Sequence, residues 1–270
     1  MLEVDGVPVT DSIVSISASY RCKERLNINV TSKNGRFTSD LFNVSILPTG
    51  EIIKANFTDK RGSFDQTYRT ADFIPSSTFN IESIRFIEDE KLDITFSGIL
   101  IKPWHAPSGP PERIMIRGEV KIRDFFKSNC NVFNDFIRLN DDITFLTISR
   151  VRQGSAVWID ATSLNGYNFR LTNLSGTLSE LPLGTYNFDN NTTTSQKIEL
   201  KKFIGLPRAI GSITHIPSDW QNYETAGSFT VVEKVQIGAK RVVKLKLNFT
   251  ASINGVTQYT FTDAPFETAL

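Results

Sequence analysis

Apolar and polar residues alternate along almost the whole of this 270-residue chain, and this two-residue period limits its fold more than any other feature. Successive side chains of a β-strand point to opposite faces, so alternation is typical of strands with one buried face. The pattern predicts an antiparallel meander, and we expect no helix longer than about two turns. The first series is SIVSISAS (12–19), RLNINVTS (25–32), DLFNVSIL (40–47) and EIIKANFT (51–58), with turns at Asn34-Gly35 and Thr49-Gly50.

A second series of alternating segments follows residue 127, which predicts two domains in tandem. It begins with DDITFLTISRV (141–151), SAVWIDATS (155–163) and YNFRLTNL (167–174). A chain of this length can form two domains that each bury a core. We therefore predict an all-β protein with two tandem antiparallel domains, residues 1–127 and 128–270. Sequence pattern alone leaves β-barrel and β-sandwich as alternatives for each domain.

The last three strands of the two halves follow the same order, which indicates a duplication. In the first half, FNIESIRFIEDEKLDITFSGILI (79–101) precedes MIRGEVKI (115–122). In the second half, GSFTVVEKVQIGAKRVVKLKLNFTASI (227–253) precedes YTFTDAPF (259–266). A strand, a charged turn, a long strand, a loop and a final strand recur in order. Convergence of two similar meanders is the alternative.

The second half resembles a family of small β-rich domains, mostly of unknown function, that occur in Bacteroidetes proteins and often in secreted lipoproteins. The first half resembles the family more faintly, through VDGVPV, SISASY, LNINVTS and ITFSGIL. The resemblance implies a compact barrel or sandwich, related to calycins, and supplies no catalytic residues. The segments that carry it are Gly184-Thr185-Tyr186-Asn187-Phe188, Ala226-Gly227-Ser228-Phe229-Thr230-Val231, Lys240-Arg241-Val242, Asn248-Phe249-Thr250-Ala251 and Thr262-Asp263-Ala264-Pro265-Phe266.

Charge and hydropathy limit the partners and the location of the protein. Thirty Lys and Arg against 29 Asp and Glu give a net charge of +1, so we expect no nucleic-acid partner. No stretch approaches the roughly 20 apolar residues of a membrane helix, so we expect no membrane span. The first residues show no signal-peptide pattern and no lipoprotein cysteine. If Met1 is the true start, we expect a virion or a cytoplasmic assembly; otherwise the cell envelope or secretion is expected.

The sequence offers no recognisable constellation for metal binding or nucleophilic catalysis. The two cysteines, Cys22 and Cys130, are expected to be unpaired thiols, because one bridge cannot form a disulfide framework. The two histidines, His105 and His215, lack a G-x-S-x-G motif and ligand-like spacing to the cysteines. We expect no metal site.

Acidic clusters and nucleotide motifs give the same expectation. Asp141-Asp142 and Glu88-Asp89-Glu90 would need a facing carboxylate for glycoside hydrolysis, and adjacent acids are usually solvated. Asp189-Asn190-Asn191 lacks the rest of a calcium loop. Neither a Walker A motif nor G-x-G-x-x-G occurs. We therefore predict no cofactor, no catalytic residues and no enzymatic activity.

Two loops carry the candidate partner-binding residues. KPWHAPSGPPER (102–113) has four prolines with Trp104 and His105 at its start, and proline lowers the entropy cost of ordering a loop. HIPSDWQNYETAG (215–227) places Trp220 and Tyr223 among polar residues, a composition common in interfaces. The alternative is that each aromatic residue folds back over its own domain.

These features favour a non-catalytic structural or adaptor protein that contributes β domains to a larger assembly. Its partners would be other proteins or copies of itself, in an oligomer or assembly. By analogy, a phage virion or a contractile injection particle would be one natural setting, because such particles reuse duplicated β domains. The alternative is a secreted or envelope-associated module that binds a small ligand, a glycan or a protein.

Overall fold

The computed structural model describes residues 1–9, 13–21, 25–34, 37–60, 65–87, 90–103, 111–123, 126–128, 136–153, 156–173, 178–189, 196–209 and 216–269. The chain divides into two compact units. The first unit comprises Met1–Cys130 together with Leu206–His215, and the second comprises Asn131–Gly205 together with Ile216–Leu270. An all-β fold in two domains, as predicted, is confirmed.

The first unit is one curled sheet of eleven strands. The sheet order is β11-β3-β4-β5-β6-β7-β9-β10-β1-β2, and β8 pairs with β9 beside this path. All pairs are antiparallel except β11 with β3, which is parallel. The strands are β1 (Leu2–Val4), β2 (Val7–Pro8), β3 (Ile13–Arg21), β4 (Arg25–Asn34), β5 (Phe37–Ile46), β6 (Ile52–Asp59), β7 (Gln66–Arg69), β8 (Phe79–Ile87), β9 (Lys91–Ile101), β10 (Arg113–Ile122) and β11 (Phe126–Ser128).

The second unit is one curled antiparallel sheet of ten strands. Its order is β16-β19-β20-β21-β12-β13-β14-β15-β17-β18. The strands are β12 (Phe136–Arg138), β13 (Thr144–Gln153), β14 (Ala156–Ser163), β15 (Tyr167–Asn173), β16 (Gly184–Phe188), β17 (Gln196–Phe203), β18 (Trp220–Asn222), β19 (Glu224–Ile237), β20 (Lys240–Ile253) and β21 (Val256–Ala269).

The sequence alternation sets which face of each strand is buried. In β4, Leu26, Ile28 and Val30 are buried, and the residues between them are only half-buried. The core of the first unit includes stacked Phe42 and Phe96, whose ring centroids lie 4.9 Å apart. Offset aromatic pairs at this distance add stability beyond the area they bury. Apolar side chains therefore fill the inner face of the first sheet.

The core of the second unit is built in the same way. Phe169 contacts Phe145 at 5.7 Å and Phe266 at 6.0 Å between ring centroids. The two ends of this sheet also meet, because the Thr225 hydroxyl of β19 donates a hydrogen bond to the Ile198 carbonyl of β17. The second sheet thus curls far enough to bring β17 and β19 side by side.

The two units share a strand plan. In each, the first strand pairs with the last long strand, as β1 does with β10 and β12 does with β21. A five-strand meander follows (β3 to β7, and β13, β14, β15, β17 and β18), and the hairpin partners β8–β9–β10 and β19–β20–β21 complete each sheet. The second unit adds β16 beside β19. This plan matches the duplication that the last three strands indicate.

A short 3-10 turn is a further common element. It covers Pro75–Ser77 in the first unit and Pro217–Asp219 in the second. Each turn follows an isoleucine whose carbonyl accepts a backbone N–H three residues later, from Ser77 and from Asp219, at 3.0 Å in both cases. The sequences are Ile-Pro-Ser-Ser-Thr-Phe-Asn (74–80) and Ile-Pro-Ser-Asp-Trp-Gln-Asn (216–222). The two units therefore share the I-P-S-x-x-x-N sequence pattern as well as the strand order.

A glycine facing a phenylalanine occurs in the main hairpin of each unit. Gly98 of β9 lies opposite Phe79, and Gly227 of β19 lies opposite Phe249. A Cβ at Gly98 would lie 2.5 Å from the Phe79 Cα, and one at Gly227 would lie 2.6 Å from the Phe249 Cα. Both glycines have positive φ, +157° and +152°. These positions require a residue without a side chain.

One stretch from the second half of the sequence belongs to the first unit. Of this stretch, residues 206–209 are described; Ala209 is fully buried against Ala71 and Ile101. The Arg208 carbonyl accepts a hydrogen bond from the Asp72 backbone N–H at 2.9 Å. The structural division thus differs from a single boundary at 127/128: it lies at 130/131, and 206–215 joins the first unit.

Candidate interaction surfaces

The loop end of the first unit, where β9 leads into β10, carries an ionic cluster. Lys102 Nζ lies 2.8 Å from a Glu112 carboxylate oxygen and 2.9 Å from the Gln66 side-chain oxygen. The Tyr68 hydroxyl also donates to the Glu112 carboxylate, although the Tyr68 ring is buried. The hydrogen bonds from Lys102 and Tyr68 hold the pKa of Glu112 below its ordinary value. This end therefore combines an anchored tyrosine with a largely exposed ion pair.

The ionic cluster forms the base of the proline-rich loop. Besides the ion pair, the Lys102 backbone N–H donates to the Glu112 carbonyl at 2.9 Å. Trp104 and His105, the candidate binding residues, lie outside the described residues. The loop is thus closed at its base by both backbone and side-chain contacts, and the role of Trp104 and His105 stays a prediction.

The loop end of the second unit, where β20 leads into β21, carries tyrosines instead. The Tyr167 and Tyr259 hydroxyl oxygens lie 2.7 Å apart, and the rings of Tyr223 and Tyr259 meet edge to face at 5.7 Å between centroids. Burial, and then the neighbouring Tyr259, raise the pKa of Tyr223 to about 12. Burial and the Tyr259 hydrogen bond also raise the pKa of Tyr167. This tyrosine cluster favours neutral hydroxyls because a phenolate would lose hydration there.

Trp220 and Tyr223, the other candidate binding residues, occupy different environments. Trp220 is half-buried at the start of β18, with its ring edge to face on Phe203 at 5.4 Å. Tyr223 is only 9% exposed and belongs to the tyrosine cluster. Tyr223 therefore matches the alternative that a loop aromatic residue folds back over its own domain. The remaining exposed surface of this pair lies on Trp220.

The outer faces of the two meanders differ in chemistry. In the first unit, one row across β3 to β6 is uncharged: Ser17, Asn29, Asn43 and Asn56 lie in register. The Asn43 amide donates to the Asn29 side-chain oxygen. A neighbouring row contains a hydrogen bond of 2.8 Å from the Ser45 hydroxyl to Asn27. In these two rows the amides and hydroxyls of β4 and β5 hold one another, and exposed Lys54 continues the second row on β6.

The corresponding row of the second unit is charged. Ser149, Asp160, Arg170 and Glu199 lie in register across β13 to β17. The Arg170 guanidinium lies 2.6 Å from the Asp160 carboxylate and 5.7 Å from the centre of the Trp158 ring. A cation over an aromatic ring gains electrostatic attraction. The second unit thus shows fixed charges where the first shows neutral polar groups.

Strand β3 has an edge that, before Ser19, pairs with none of the strands that the structure describes. Along the described strands, β3 pairs with β4 at Ile13 and from Ser15 to Arg21, with a register shift at Val14. On its other side only Ser19–Arg21 are paired, with β11. Val14, Ser15, Ile16 and Ser17 are all exposed, with Val14 at 48% and Ile16 at 41%. A strand covered on one face would show alternating exposure. The register shift at Val14 breaks this alternation, and Val14–Ser17 together form an exposed segment whose outer edge pairs with no described strand.

Within the described ranges, no three His, Cys, Asp or Glu side chains lie close enough together to hold a metal ion. Both cysteines and both histidines lie outside those ranges. Asp141 forms an exposed ion pair with Arg138. None of the helices that the structure describes is long and apolar enough to cross a membrane.

No family model, curated protein or solved structure matches this chain. The sequence reasoning identified the loops but overlooked the β3 edge. The sequence feature that could have indicated this edge is the run Ser12 to Tyr20, which contains no charged residue and stands at the start of a meander.

Proposed function

We propose that this protein is a non-catalytic component of a protein assembly and that it joins the assembly through the uncovered edge of β3. The observation that carries the proposal is the run of four exposed residues, Val14 to Ser17, at an unpaired stretch of strand. Exposed strand edges offer backbone donors and acceptors to another strand, which is a common mode of protein recognition.

The chemistry of the edge supports this proposal. Native proteins usually protect exposed edges with charged residues or proline, and residues 12–20 contain neither. Two other described edges follow the usual rule. Strand β8 carries exposed Glu82 and Arg85, and β19 carries Glu233 and Lys234 beyond the part that β16 covers. The terminal strands β16 (Gly184–Phe188) and β18 (Trp220–Asn222) are also free of charge, but they have five and three residues, whereas β3 has nine. The β3 edge is therefore the longest charge-free edge among these strands and the one that we expect a partner to cover.

Light scattering of the full chain tests the proposal. We expect a mass above 30.3 kDa that increases with concentration, or recovery in a larger particle after mild extraction from the source. Ile16→Lys should lower this association, because a charge at an edge opposes strand pairing. Val256→Lys is the matched control, because Val256 is also an exposed β-branched residue of a strand, 61% exposed, but lies on β21. Equal association of both variants and the unmodified chain would contradict the role of β3.

The second candidate function is a module for a small ligand or glycan. The observation that favours it is the closed base of the proline-rich loop, where the Lys102–Glu112 ion pair and a backbone bond hold the loop ends together. A pre-ordered loop loses less entropy on binding. Tryptophan fluorescence of the unmodified chain and Trp104→Phe, titrated with a glycan panel, tests this role; a Trp104-dependent change would support it.

A further inference from the structure

We infer that the partner at the β3 edge is a second copy of this chain, with residues Val14–Ala18 of the two copies paired antiparallel about Ile16. This inference rests on the proposed function and names its partner. Three properties of the described strand lead to it: the length of the uncovered edge, the order of its side chains and its lack of charge.

The length of the edge sets the pairing window. β11 already occupies the edge at Ser19–Arg21, so an added strand can extend only up to Ala18. Two copies related by a two-fold axis pair their strands antiparallel, and in each copy β11 excludes Ser19–Arg21 from the pairing. Residue 13 would face residue 19 of the other copy, where β11 already lies. The symmetric window is therefore 14–18, and its centre is Ile16.

The order of side chains in this window is self-complementary. The sequence Val14-Ser15-Ile16-Ser17-Ala18 reads apolar, serine, isoleucine, serine, apolar in both directions. In the symmetric pairing, Ile16 faces the same residue of the other copy, Ser15 faces Ser17, and Val14 faces Ala18. Cross-strand pairs of like polarity stabilise a sheet, and serine pairs can exchange hydrogen bonds. An unrelated partner would have no need of this symmetry.

Ser15 and Ser17 lie beside polar residues of β4, so a second copy would meet polar side chains at these positions. Ser15 already shares a hydrogen bond of 2.6 Å with Thr31 on β4. In register, Ser17 lies next to Asn29, which belongs to the amide row of β4 and β5. A second copy would extend the Ser17–Asn29 row across the two-fold axis; Asp40, which faces Thr31 in the Ser15 row, lies on β5, two strands away from the β3 edge. No charge would be buried, so the pairing avoids a desolvation penalty.

Five residue pairs form a small interface, and this determines the strength of association. Interfaces below about 1,200 Å² of total buried surface are typical of weak and transient complexes. We therefore expect a reversible dimer whose population rises with chain concentration. In a two-fold dimer the β3 edge of each copy is covered by the other copy, so no β3 edge is left for a third chain and association should stop at the dimer.

Charge complementation at Ile16 is the experiment that tests this partner. Ile16→Lys and Ile16→Glu should each weaken the dimer by about tenfold or more, because like charges then face each other across the axis. An equimolar mixture of the two variants should recover association, because lysine then faces glutamate. Light scattering and sedimentation of the full-length chains measure all three samples. Val256→Lys, which changes an exposed residue elsewhere, should leave the dimer unchanged.

A disulfide test checks the register without adding charge. With Cys22 and Cys130 changed to serine, Ser15→Cys and Ser17→Cys chains should form a mixed disulfide faster than either chain forms one with itself. The reason is that residues 15 and 17 face each other, whereas identical positions are diagonal and about 7–8 Å apart.

The outcomes separate this inference from the proposed function. Recovery in the Lys–Glu mixture together with the mixed disulfide supports the symmetric dimer. A single-chain mass throughout the concentration series overturns it; the proposed function would still hold if Ile16→Lys, and not Val256→Lys, released the chain from a particle in its source. A dimer that Ile16→Lys does not affect overturns both.

Discussion

The two units share a strand plan but differ at their loop ends and on their outer faces. The first unit has an ion pair at its loop end and a neutral amide row outside. The second has neutral tyrosines at its loop end and an Asp160–Arg170 pair outside. The hairpins and cores that the units share bury apolar residues, whereas the features that differ contain polar groups at the surface. Core packing thus constrains the plan, and the exposed polar positions were free to diverge.

The largest effect expected tests what the units share. Gly227→Ala should lower the free energy of unfolding by about 3–5 kcal/mol, because the added Cβ meets the backbone at Phe249 and the residue has positive φ. Gly98→Ala should cost a similar amount through its contact with Phe79. Denaturant unfolding of each variant measures the change.

Gly184→Ala is the matched control for Gly227→Ala. Gly184 has a similar φ, +148°, but nothing lies within 4 Å of its would-be Cβ. It should cost about 1–2 kcal/mol from backbone strain alone. If all three variants lose equal stability, the close approach to phenylalanine is not the cause, and the shared hairpin argument fails.

A smaller effect tests the composition of the first unit. Ala209→Glu should destabilise the first unit by about 2 kcal/mol, because it places a charge against Ala71 and Ile101. Hydrogen exchange read by mass spectrometry should show lost protection in β9 and β10, and unchanged protection in β20 and β21. The exposed neighbour Leu206→Glu, at a site 80% exposed, serves as the control. Lost protection confined to the second unit would contradict the assignment of this segment.

The sequence predicted the features that depend on local alternation. The buried face of β4 and the hairpin β8–β9 follow directly from the two-residue period. Pairings between distant segments did not follow, because alternation does not specify which strands meet. β11 on β3, β1 on β10 and residues 206–209 in the first unit are of this kind. The I-P-S-x-x-x-N repeat was readable in the sequence and would have aligned the two halves.

Site prediction met the same limit. Trp220 and Tyr223 were selected by composition, but burial depends on neighbours contributed by other strands. Tyr223 is covered by Tyr259 from β21, 36 positions further along the chain, and Trp220 packs on Phe203. The β3 edge became visible only once the partners of every described strand were known. A charge-free strand in the sequence signals such an edge only when it is not central in its sheet.

The two loop ends should also respond to opposite extremes of pH, with the larger effect in alkali. Tyr223 ionises with an ordinary pKa of 10.0 when unfolded and about 12 when folded, so unfolding releases a proton between these values. Its contribution to stability is complete below pH 10 and is lost as the pH rises through 12. Tyr259→Phe should reduce this alkaline loss, measured by phenolate absorbance and by unfolding at each pH. An unchanged alkaline profile would contradict the coupling of these hydroxyls.

The smallest effect should appear in acid and in the first unit. The pKa of Glu112 is lowered by Lys102 and Tyr68, so its contribution is present above its ordinary value of 4.5 and is lost as the pH falls below it. Because Glu112 is about half exposed, at 53%, solvent screening limits the contribution to about 0.2–1 kcal/mol. Glu112→Gln should flatten the acid loss of hydrogen-exchange protection in β9 and β10 and leave the alkaline profile of the second unit unchanged. Asp93→Asn is the control within the same unit, since its carboxylate is paired with Arg123 away from the loop end and its pKa is also lowered. If Asp93→Asn alone flattens the acid profile, the acid response of the first unit does not come from its loop end. The two loop ends would then differ only in the alkaline response of the tyrosine cluster.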